Sequence, residues 1–398
     1  MDLLFLCGAY SDFLRKEFFV NSRHGIQYAA ETFQNALIDG FLSNNINLSV
    51  LSVPFLSTFP FGYKKIYVPN SIFFHDGLNL GESLGFVNLP FFQNPFNKAL
   101  LFIEKWYKSS KGNKTILVYS LNVFLMKIAI EAKRRYPDLQ IAIVILDLKE
   151  YMGYNKYLKF LGCQKREIQF INSHIKDFNK FVLLTSSMAN RFNLSNDSWT
   201  LVEGIYSNKK INSQRNLKGK ELKYILYSGS LHKKYGILTL IQAFIGLQRK
   251  ELYLYVCGEG DAMTEILDAQ KSCPNICYLG KLSHEDVMLY QKSAVLLVNP
   301  RSSDGEYTKY SFPSKTMEYL ASGRPVLMYK LPGIPFEYDQ YLHYIEGNTV
   351  QDFQRSMNKI LDTPSSVLDD ISRRGCDFIL NEKNSKYQTH KICNLLSI

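Results

Sequence analysis

The segment KYSFPSKTMEYLASGRPVLM, residues 309–328, combines hydroxyl, cationic and acidic side chains within a few positions. A helix that starts here could be capped by Ser311 or Ser314. The unpaired N–H groups at such a helix start favour anions, and Lys315 adds a full positive charge. Glu318 leans back toward the same end, and its carboxylate can accept two hydrogen bonds from a vicinal diol. The spacing therefore predicts a site for a diphosphate that is attached to a ribose.

An alternative interpretation is an ordinary surface helix that begins near Pro313 and carries a solvated lysine and glutamate. Three further segments favour binding, because each follows a strand-like run and offers glycine, a hydroxyl or a charge. They contribute Gly229, Ser230 and Lys234 after YILYS, Gly258 and Glu259 after LYLYVC, and Arg301 after AVLLVNP. Arg301 is well placed for a bidentate contact with phosphate. The Gly-x-Gly pair lacks the third glycine of a dinucleotide fingerprint and is a weak signal alone.

The elements that must position these residues are strand-like runs, which alternate with helix-like segments along nearly the whole chain. The runs are short and mostly apolar on both faces, which is typical of parallel strands covered by helices. Strand–helix–strand repetition predicts two Rossmann-like, doubly wound α/β domains. Such sheets bind ligands at the carboxyl ends of their strands. We therefore expect two domains that face a central cleft, with one ligand on each wall.

The polar, basic segment at 206–223 separates two strand-rich blocks. Its charges favour a solvated linker over a binding element. The predicted division is a first domain over 1–205, a linker over 206–221, a second domain over 222–378, and a final helix over 379–398.

Composition narrows the class of protein. The 398 residues carry 47 Lys and Arg against 36 Asp and Glu, a formal net charge of +11, with the larger excess in the first half. This balance favours anionic partners. The seven cysteines and the histidines show no metal-binding spacing, so we expect neither a disulfide framework nor a metal site. No signal-peptide pattern or bilayer-spanning run is present, which predicts a cytoplasmic protein.

Two stretches, 97–114 and 149–166, interleave Lys and Arg with aromatic residues and leucine. This mixture suits the headgroup region of an anionic bilayer, so the protein could lie on the inner face of the plasma membrane. Exposed helix faces over a core stripe explain the pattern equally well. No nucleic-acid motif accompanies the charge, and we expect no nucleic-acid partner. The sequence leaves the oligomeric state open.

The order of the motifs resembles a known family. Tyr-x-Gly-x-Leu, Gly-x-x-x-Leu-Ile-x-Ala, strand-Gly-x-Gly and Pro-Ser-Lys-x-x-Glu-Tyr-Leu-Ala-Ser-Gly-x-Pro-Val follow one another between residues 224 and 328. They resemble the donor domain of GT-B glycosyltransferases, above all glycosyltransferase family 4 and particularly its enzymes that build bacterial surface polysaccharides. ILDLKEYM and HGIQYAAETFQNALIDGF resemble the acceptor domain of that family less specifically. The resemblance covers most of the chain.

The resemblance implies a metal-independent hexosyltransferase. Glu318 would bind the ribose, and the backbone around Ser311, Phe312 and Ser314 would hold the diphosphate with Lys315. The donor would be a nucleotide diphosphate sugar, with a UDP-sugar favoured over a GDP-sugar. The acceptor would be a hydroxyl of a glycan, carried on a polyprenyl lipid, in capsule or exopolysaccharide synthesis. Anomeric configuration would be retained, and the final helix would pack back toward the first domain.

The chain departs from the family pattern at three positions. Tyr310 stands where the first of two paired acids is usual, and the usual arginine and lysine of the Gly-Arg-Leu…Lys-Gly loop are absent. We expect Lys234, Arg301 and Lys309 to replace the missing phosphate contacts. Tyr310 would then contact the donor sugar through its hydroxyl or its ring. The same departures also fit a non-catalytic partner protein, and an epimerase of the same fold is a further alternative.

Two residues of the first half are candidate catalytic groups. Asp147 follows the strand-like run IAIVIL and could orient or deprotonate the acceptor hydroxyl. It could equally be a helix cap or turn residue. His24, next to the first predicted helix, could reach the donor sugar, although an ordinary loop histidine is the simpler interpretation. The serines lack a Gly-x-Ser-x-Gly elbow, which argues against hydrolase chemistry.

Overall fold

The computed structural model describes residues 2–23, 25–89, 95–153, 162–207 and 222–397. The chain forms two compact units: unit 1 is Met1–Ile205 with Ser385–Ile398, and unit 2 is Tyr206–Asn384. The predicted return at 379 is wrong by six residues, because the helix that contains residue 379 continues to Glu382 within unit 2. Most of the predicted linker, 208–221, lies outside the described residues.

Unit 1 is built on a large sheet. Its strands are β1 (Asp2–Cys7), β2 (Asn47–Ser52), β3 (Tyr67–Val68), β4 (Ser71–His75), β5 (Leu78–Ser83), β6 (Phe86–Val87), β7 (Lys114–Tyr119), β8 (Gln140–Ile145), β9 (Lys180–Leu183) and β10 (Trp199–Leu201). Eight of them form one sheet in the order β10-β9-β8-β7-β1-β2-β5-β4, and β3 pairs with β6 separately. Every pairing in the large sheet is parallel except β4 with β5.

The described helices of unit 1 are α1 (Asp12–Asn21), α2 (Tyr28–Ser43), α3 (Phe96–Ser109), α4 (Val123–Arg135), α5 (Cys163–His174), α6 (Ser187–Phe192) and the final helix (Ser385–Leu396). The final helix packs against α2. Asn44 donates hydrogen bonds to Thr389 Oγ1 at 2.8 Å and to the Lys386 carbonyl at 2.9 Å. At Gly40 a Cβ atom would collide with the Ser385 carbonyl, so glycine allows this close approach.

Unit 2 contains a six-stranded parallel sheet. Its strands are β11 (Lys223–Ser228), β12 (Leu252–Cys257), β13 (Ile276–Tyr278), β14 (Leu296–Asn299), β15 (Val326–Met328) and β16 (His343–Tyr344), in the order β13-β12-β11-β14-β15-β16. Its helices are α7 (Ile237–Gly246), α8 (Met263–Ser272), α9 (His284–Ser293), α10 (Lys315–Ala321), α11 (Val350–Leu361) and α12 (Ser365–Glu382). This strand order is that of a doubly wound dinucleotide-binding sheet, whose ligands lie where the order reverses.

The predicted α/β architecture with two parallel sheets is confirmed. The order reverses between β1 and β7 in unit 1 and between β11 and β14 in unit 2. The features that were not predicted from the sequence include the helix α1 and the antiparallel edge strand β4. Within the described ranges, no helix combines the length and apolarity needed to cross a bilayer.

Candidate functional site

A buried tyrosine holds α10 at the carboxyl end of β11. The Tyr319 hydroxyl accepts a hydrogen bond from the backbone N–H of Ser228 at 2.9 Å and donates to the Ser228 carbonyl at 3.2 Å. Gln291 Nε2 donates to Ser228 Oγ at 3.2 Å. All three side chains are about 1% exposed. Because Tyr319 directly follows Glu318, this network fixes the position of the helix turn that carries the carboxylate.

Lys315 and Glu318 lie one turn apart at the beginning of α10. Lys315 Nζ is 2.6 Å from Glu318 Oε2, and both side chains are partly exposed. Burial raises the pKa of Cys257 to about 11, and the charge of Lys315 acts in the opposite direction, which places Lys315 close to the end of β12. The cation and the carboxylate predicted from the sequence are therefore neighbours, and they pair with each other.

The start of α10 differs from the prediction. The helix begins at Lys315, not near Pro313, and it has seven residues. The backbone of Ser314 is already helical, with φ −52° and ψ −29°, and its side chain makes no capping bond. Ser314 lacks the extended backbone of a typical capping serine, and Ser311 lies outside the capping position, so neither predicted cap forms. Ser311 instead accepts a hydrogen bond from Arg301, and Phe312 is buried against the ring of Tyr338.

Arg301 lies two residues beyond β14, at the reversal of the strand order. Its guanidinium lies over the rings of Tyr235, at 5.6 Å, and Tyr307, at 5.1 Å, and Nη2 donates to Ser311 Oγ at 3.2 Å. The Nε atom is buried, and within the described residues it makes no hydrogen bond. A buried guanidinium N–H without a partner is costly, and an anion would satisfy it. The two tyrosines were not predicted from the sequence, because only the folded loops bring them to Arg301.

The glycines of this region permit the loops to pack on one another. At Gly258, with φ +136°, a Cβ atom would collide with the carbonyl of Gly229. At Gly236, with φ +78°, it would collide with the carbonyl of Pro300, next to Arg301. Ser230 contributes its carbonyl, which accepts a hydrogen bond from Tyr227 at 2.8 Å. These glycines therefore serve loop packing at the carboxyl edge of the sheet.

Three more predicted donor-binding residues are exposed at the surface of unit 2. Lys234 Nζ lies 5.0 Å above the ring of Tyr235, the ring that Arg301 also contacts. Lys309 lies on a 3-10 turn together with the half-buried Tyr310. Glu259 pairs with Lys281 at 2.8 Å, so its carboxylate already has a cationic partner.

Unit 1 contains a cavity of about 370 Å³ beyond the ends of β2, β7 and β8. Its lining combines polar and apolar surface and includes Phe55, Phe86 and Phe124, with Asp147 among the polar groups. Burial raises the pKa of Asp147, and within the described chain this carboxylate has no hydrogen bond or ion pair. Asp147 also helps burial to raise the pKa of Tyr119, so the two side chains are close. The predicted candidate therefore lies in a cavity.

His24, the other catalytic candidate, lies outside the described residues. Among those described, one group of three side chains could hold a metal ion: Asp39, His75 and Asp76, whose ligand atoms lie within 4.8 Å of one another. His75 Nε2 is 2.5 Å from Asp39 Oδ1. The sequence analysis missed this group because 36 residues separate Asp39 from His75.

The two basic-aromatic stretches are not both available as surfaces. In the first, 97–114, α3 buries Leu100, Ile103 and Trp106 against the rest of unit 1. That stretch therefore follows the alternative interpretation, an exposed basic face over a core stripe. In the second stretch, residues 154–161 lie outside the described chain.

Comparison with known proteins connects this geometry to a family. Residues 208–375 match the model of the family described as Glycosyl transferases group 1. Similar solved structures include sucrose-phosphate synthase from Thermosynechococcus elongatus, at 13% identity over 100% of this chain and 98% of that chain, with a TM-score of 0.63. The apo form of the lipopolysaccharide outer core galactosyltransferase WaaB is 14% identical over 100% and 99%, with a TM-score of 0.60.

A glycosyltransferase from Rickettsia africae ESF-5 is 11% identical over 99% of each chain, with a TM-score of 0.63. The comparison with curated proteins gives no significant match. Identities this low establish a shared fold and not a shared substrate. The chain thus has the GT-B fold, and its segment 208–375 matches the group 1 glycosyl transferases.

Proposed function

We propose that the protein transfers a hexose from a nucleotide diphosphate sugar to a hydroxyl of a glycan acceptor. Unit 2 would bind the donor, with a UDP-sugar favoured over a GDP-sugar, and unit 1 would bind the acceptor. No metal ion would be required, and the anomeric configuration would be retained. The match of residues 208–375 to the group 1 glycosyl transferases supports sugar transfer in general.

One observation carries the donor site: a lysine and a glutamate pair with each other at the strand-order reversal of a dinucleotide-type sheet. Without a ligand, Lys315 and Glu318 neutralise one another. A diphosphate offers Lys315 a stronger anionic partner, and the ribose hydroxyls then donate to the released Glu318 carboxylate. Tyr206 lies near this carboxylate, because the charge of Glu318 adds to burial in raising the pKa of Tyr206.

The departing nucleotide diphosphate needs positive charge in the transition state. Arg301 can donate its free Nε–H to a phosphate oxygen, and Lys315 supplies a second charge. Lys234 and Lys309 would reinforce them from the surrounding loops, and Tyr310 would contact the transferred sugar. Each charge-assisted hydrogen bond contributes about 1.5–3 kcal/mol. A few such bonds account for a substantial part of leaving-group stabilisation.

The acceptor side of the proposal rests on the cavity of unit 1. Its aromatic lining suits the apolar faces of sugar rings, and Asp147 can accept a hydrogen bond from the attacking hydroxyl. With retention, an oxygen of the donor's own phosphate would assist that hydroxyl while Asp147 orients it. The acceptor would be lipid-linked, in bacterial polysaccharide synthesis at an anionic membrane surface. The formal net charge of +11 supports an anionic surface as partner.

The decisive experiment measures binding of UDP and GDP by calorimetry and then transfer from the corresponding nucleotide sugars. Glu318→Gln is expected to weaken nucleotide binding about tenfold or more, because it removes a charged acceptor of ribose hydrogen bonds. The matched control is Asp268→Asn, which breaks the equivalent one-turn pair with Lys271 elsewhere in unit 2. Unchanged affinity in Glu318→Gln overturns the donor site. Nucleotide binding without any transfer points to a non-catalytic partner, and a changed sugar on the nucleotide points to an epimerase.

A further inference from the structure

The outer face of α1 exposes large apolar side chains. Phe13 is 71% exposed, Phe19 61% and Val20 57%, whereas Leu14 and Phe18 point into unit 1 and are buried. Residues 13, 16 and 20 follow helical spacing, so Lys16 lies on the same outer face. A helix normally buries such aromatic residues, and α1 buries only one of its three phenylalanines.

The loop that follows β2 extends this face at one end. The Arg23 backbone N–H donates to the Gly62 carbonyl at 2.9 Å, and that of Lys64 donates to the Asn21 carbonyl at 2.9 Å. Lys64 Nζ also donates to the Val20 carbonyl at 2.8 Å. These bonds hold the loop beside the end of α1. They leave Phe61, at the loop tip, 82% exposed.

Strand β4 extends the face at the other end. The ring of Phe13 contacts that of Phe74 edge to face, with centroids 4.9 Å apart. Ile72 lies on the same side of the strand as Phe74 and is 48% exposed. We call the group of exposed apolar side chains made up of Ile72, Phe13, Phe19, Val20 and Phe61 the α1 surface.

Positive charge accompanies the α1 surface. Lys16 is exposed and makes no ion pair within the described residues. Among the residues that the structure describes, the side chains of Arg23 and Lys64 donate to backbone carbonyls, and neither pairs with a carboxylate. Lys65 is paired with Glu17 at 2.7 Å. Exposed phenylalanines with uncompensated cations between them match the two components of an anionic lipid interface, apolar acyl chains and negative headgroups.

We infer that the α1 surface docks onto an anionic lipid bilayer. A second copy of the chain fits less well. A two-fold contact through this surface would place the basic side chains Lys16, Arg23 and Lys64 of one copy opposite the same basic set of the other. The inference deepens the proposed function and rests on it, since docking would bring the protein to a lipid-linked acceptor. It also replaces the stretch 97–114, whose Trp106 is buried, as the membrane-facing surface.

The test is co-sedimentation of the full-length protein with vesicles of phosphatidylglycerol and phosphatidylcholine, compared with phosphatidylcholine alone. Binding is expected only to the anionic vesicles and is expected to weaken as salt is added. Phe61→Ser is expected to weaken binding about tenfold, since a phenylalanine no longer enters the interface. Lys16→Gln is expected to weaken it roughly fivefold, the effect of one basic residue near an anionic surface.

The matched controls are Phe336→Ser, at an 87% exposed phenylalanine of unit 2, and Lys105→Gln, at an exposed lysine of α3. Both are expected to bind vesicles as the wild type does. The inference is overturned if the wild type does not bind anionic vesicles. It is also overturned if Phe61→Ser and Lys16→Gln both bind them as strongly as the wild type does. Self-association of the wild type that Phe61→Ser abolishes, without any vesicle binding, assigns the surface to a second copy. UDP calorimetry without vesicles reports on the proposed function separately, because the α1 surface lies in unit 1.

Discussion

At the scale of single residues, the contacts of Arg301 suit its proposed role in binding an anion. Two tyrosine rings and Ser311 fix its guanidinium, and one buried N–H remains without a partner. A guanidinium that is already held in place loses less conformational entropy when it binds a ligand. Its cost is the desolvated Nε–H, which the ligand-free protein leaves unsatisfied. A bound anion would accept a hydrogen bond from this N–H and would offset its desolvation.

Replacement of Arg301 by lysine tests whether the planar fork matters in addition to the charge. Lysine keeps the charge but loses the bidentate geometry and the contacts with both tyrosine rings. We expect UDP affinity to fall about tenfold in Arg301→Lys and at least as far in Arg301→Ala, by calorimetry. Arg324→Lys is the control, since Arg324 donates to the Lys292 carbonyl at an exposed position. Wild-type affinity in Arg301→Ala would show that phosphate is bound elsewhere.

Asp147 makes a prediction about pH. Burial raises the pKa of this carboxyl in the folded protein, so the stability it contributes is present at acid pH and is lost as the pH rises through the folded pKa. Asp147→Asn is therefore expected to unfold at a higher temperature than the wild type at neutral pH. The difference is expected to vanish below the ordinary aspartate pKa. Sugar transfer is expected to be lost in the same variant.

Asp138→Asn provides the opposite sign for comparison. A hydrogen bond from the Tyr107 hydroxyl, at 2.6 Å, lowers the pKa of Asp138. That contribution is present at neutral pH and is lost as the pH falls, so the variant is expected to be less stable than the wild type at neutral pH. Thermal unfolding over a pH series measures both effects. A neutral-pH loss of stability in Asp147→Asn would contradict the pKa argument.

Some residues of the proposed donor site were predictable from the sequence, and others were not. Lys315 and Glu318 were predictable, because a spacing of three on a helix places them together whatever the rest of the fold does. Tyr235 and Tyr307 were not, since they reach Arg301 only through the packing of two loops from different strands. Phe312 was predicted to contribute its backbone, and the packing of its ring against Tyr338 leaves that prediction untested.

At the scale of elements, the position of α10 depends on one side chain. The Tyr319 hydroxyl bonds to the backbone of Ser228, which pairs with Cys257 of β12 but lies beyond the residues of β11 that pair with β14. Tyr319 thereby links the end of β11 to the helix that carries Lys315 and Glu318, the proposed donor-binding residues. The sequence motif contains this tyrosine next to Glu318. Its partner 91 residues away was not predictable from spacing alone.

Removal of that hydroxyl is expected to destabilise unit 2 and to weaken nucleotide binding together. Tyr319→Phe leaves a buried N–H unsatisfied, at a cost of about 1–3 kcal/mol in unfolding free energy. Tyr224→Phe is the matched control, because it removes a similarly buried hydroxyl that donates to the Tyr290 carbonyl. Denaturant unfolding is expected to show a loss in both variants. Calorimetry is expected to show weaker UDP binding only in Tyr319→Phe, and equal affinities would separate α10 placement from donor binding.

Element existence was more predictable than element detail. Buried parallel strands are recognisable as short apolar runs, so β8, β11, β12 and β14 coincide with runs identified in the sequence. The start of α10 was misplaced, because Pro313 and Ser314 fit a helix start but the tertiary contacts of Ser311 and Phe312 decide the backbone there. The helix α1 escaped prediction, since its exposed phenylalanines disrupt the expected single apolar stripe.

At the scale of the whole molecule, the chain crosses between its units twice. It leaves unit 1 after Ile205 and returns at Ser385. The final helix then completes the core of unit 1, where Ile392, Cys393 and Leu396 pack with residues of β1 and α2. The sequence indicated a terminal helix but not its first residue. A boundary between two adjoining helices, at residues 383 and 384, leaves little trace in composition.

This connectivity predicts that the end of the chain stabilises its beginning. Ile392 is fully buried in the core of unit 1. Ile392→Ala is expected to lower the unfolding free energy of unit 1 by about 2–5 kcal/mol, because it removes packed methyl groups and leaves a cavity. UDP affinity, a property assigned to unit 2, is expected to stay at the wild-type value. Denaturant unfolding and calorimetry on the same samples measure the two quantities.

The matched control for this variant lies in the other unit. Ile266 is likewise fully buried, in α8 of unit 2. Ile266→Ala is expected to destabilise unit 2 by a similar amount and to lower the denaturant concentration at which UDP binding is lost. If Ile392→Ala weakened UDP binding as strongly as Ile266→Ala, the two units would unfold as one. The proposed assignment of acceptor binding to unit 1 and donor binding to unit 2 would then not appear as separate unfolding transitions. Cooperative unfolding would couple every site to the whole chain.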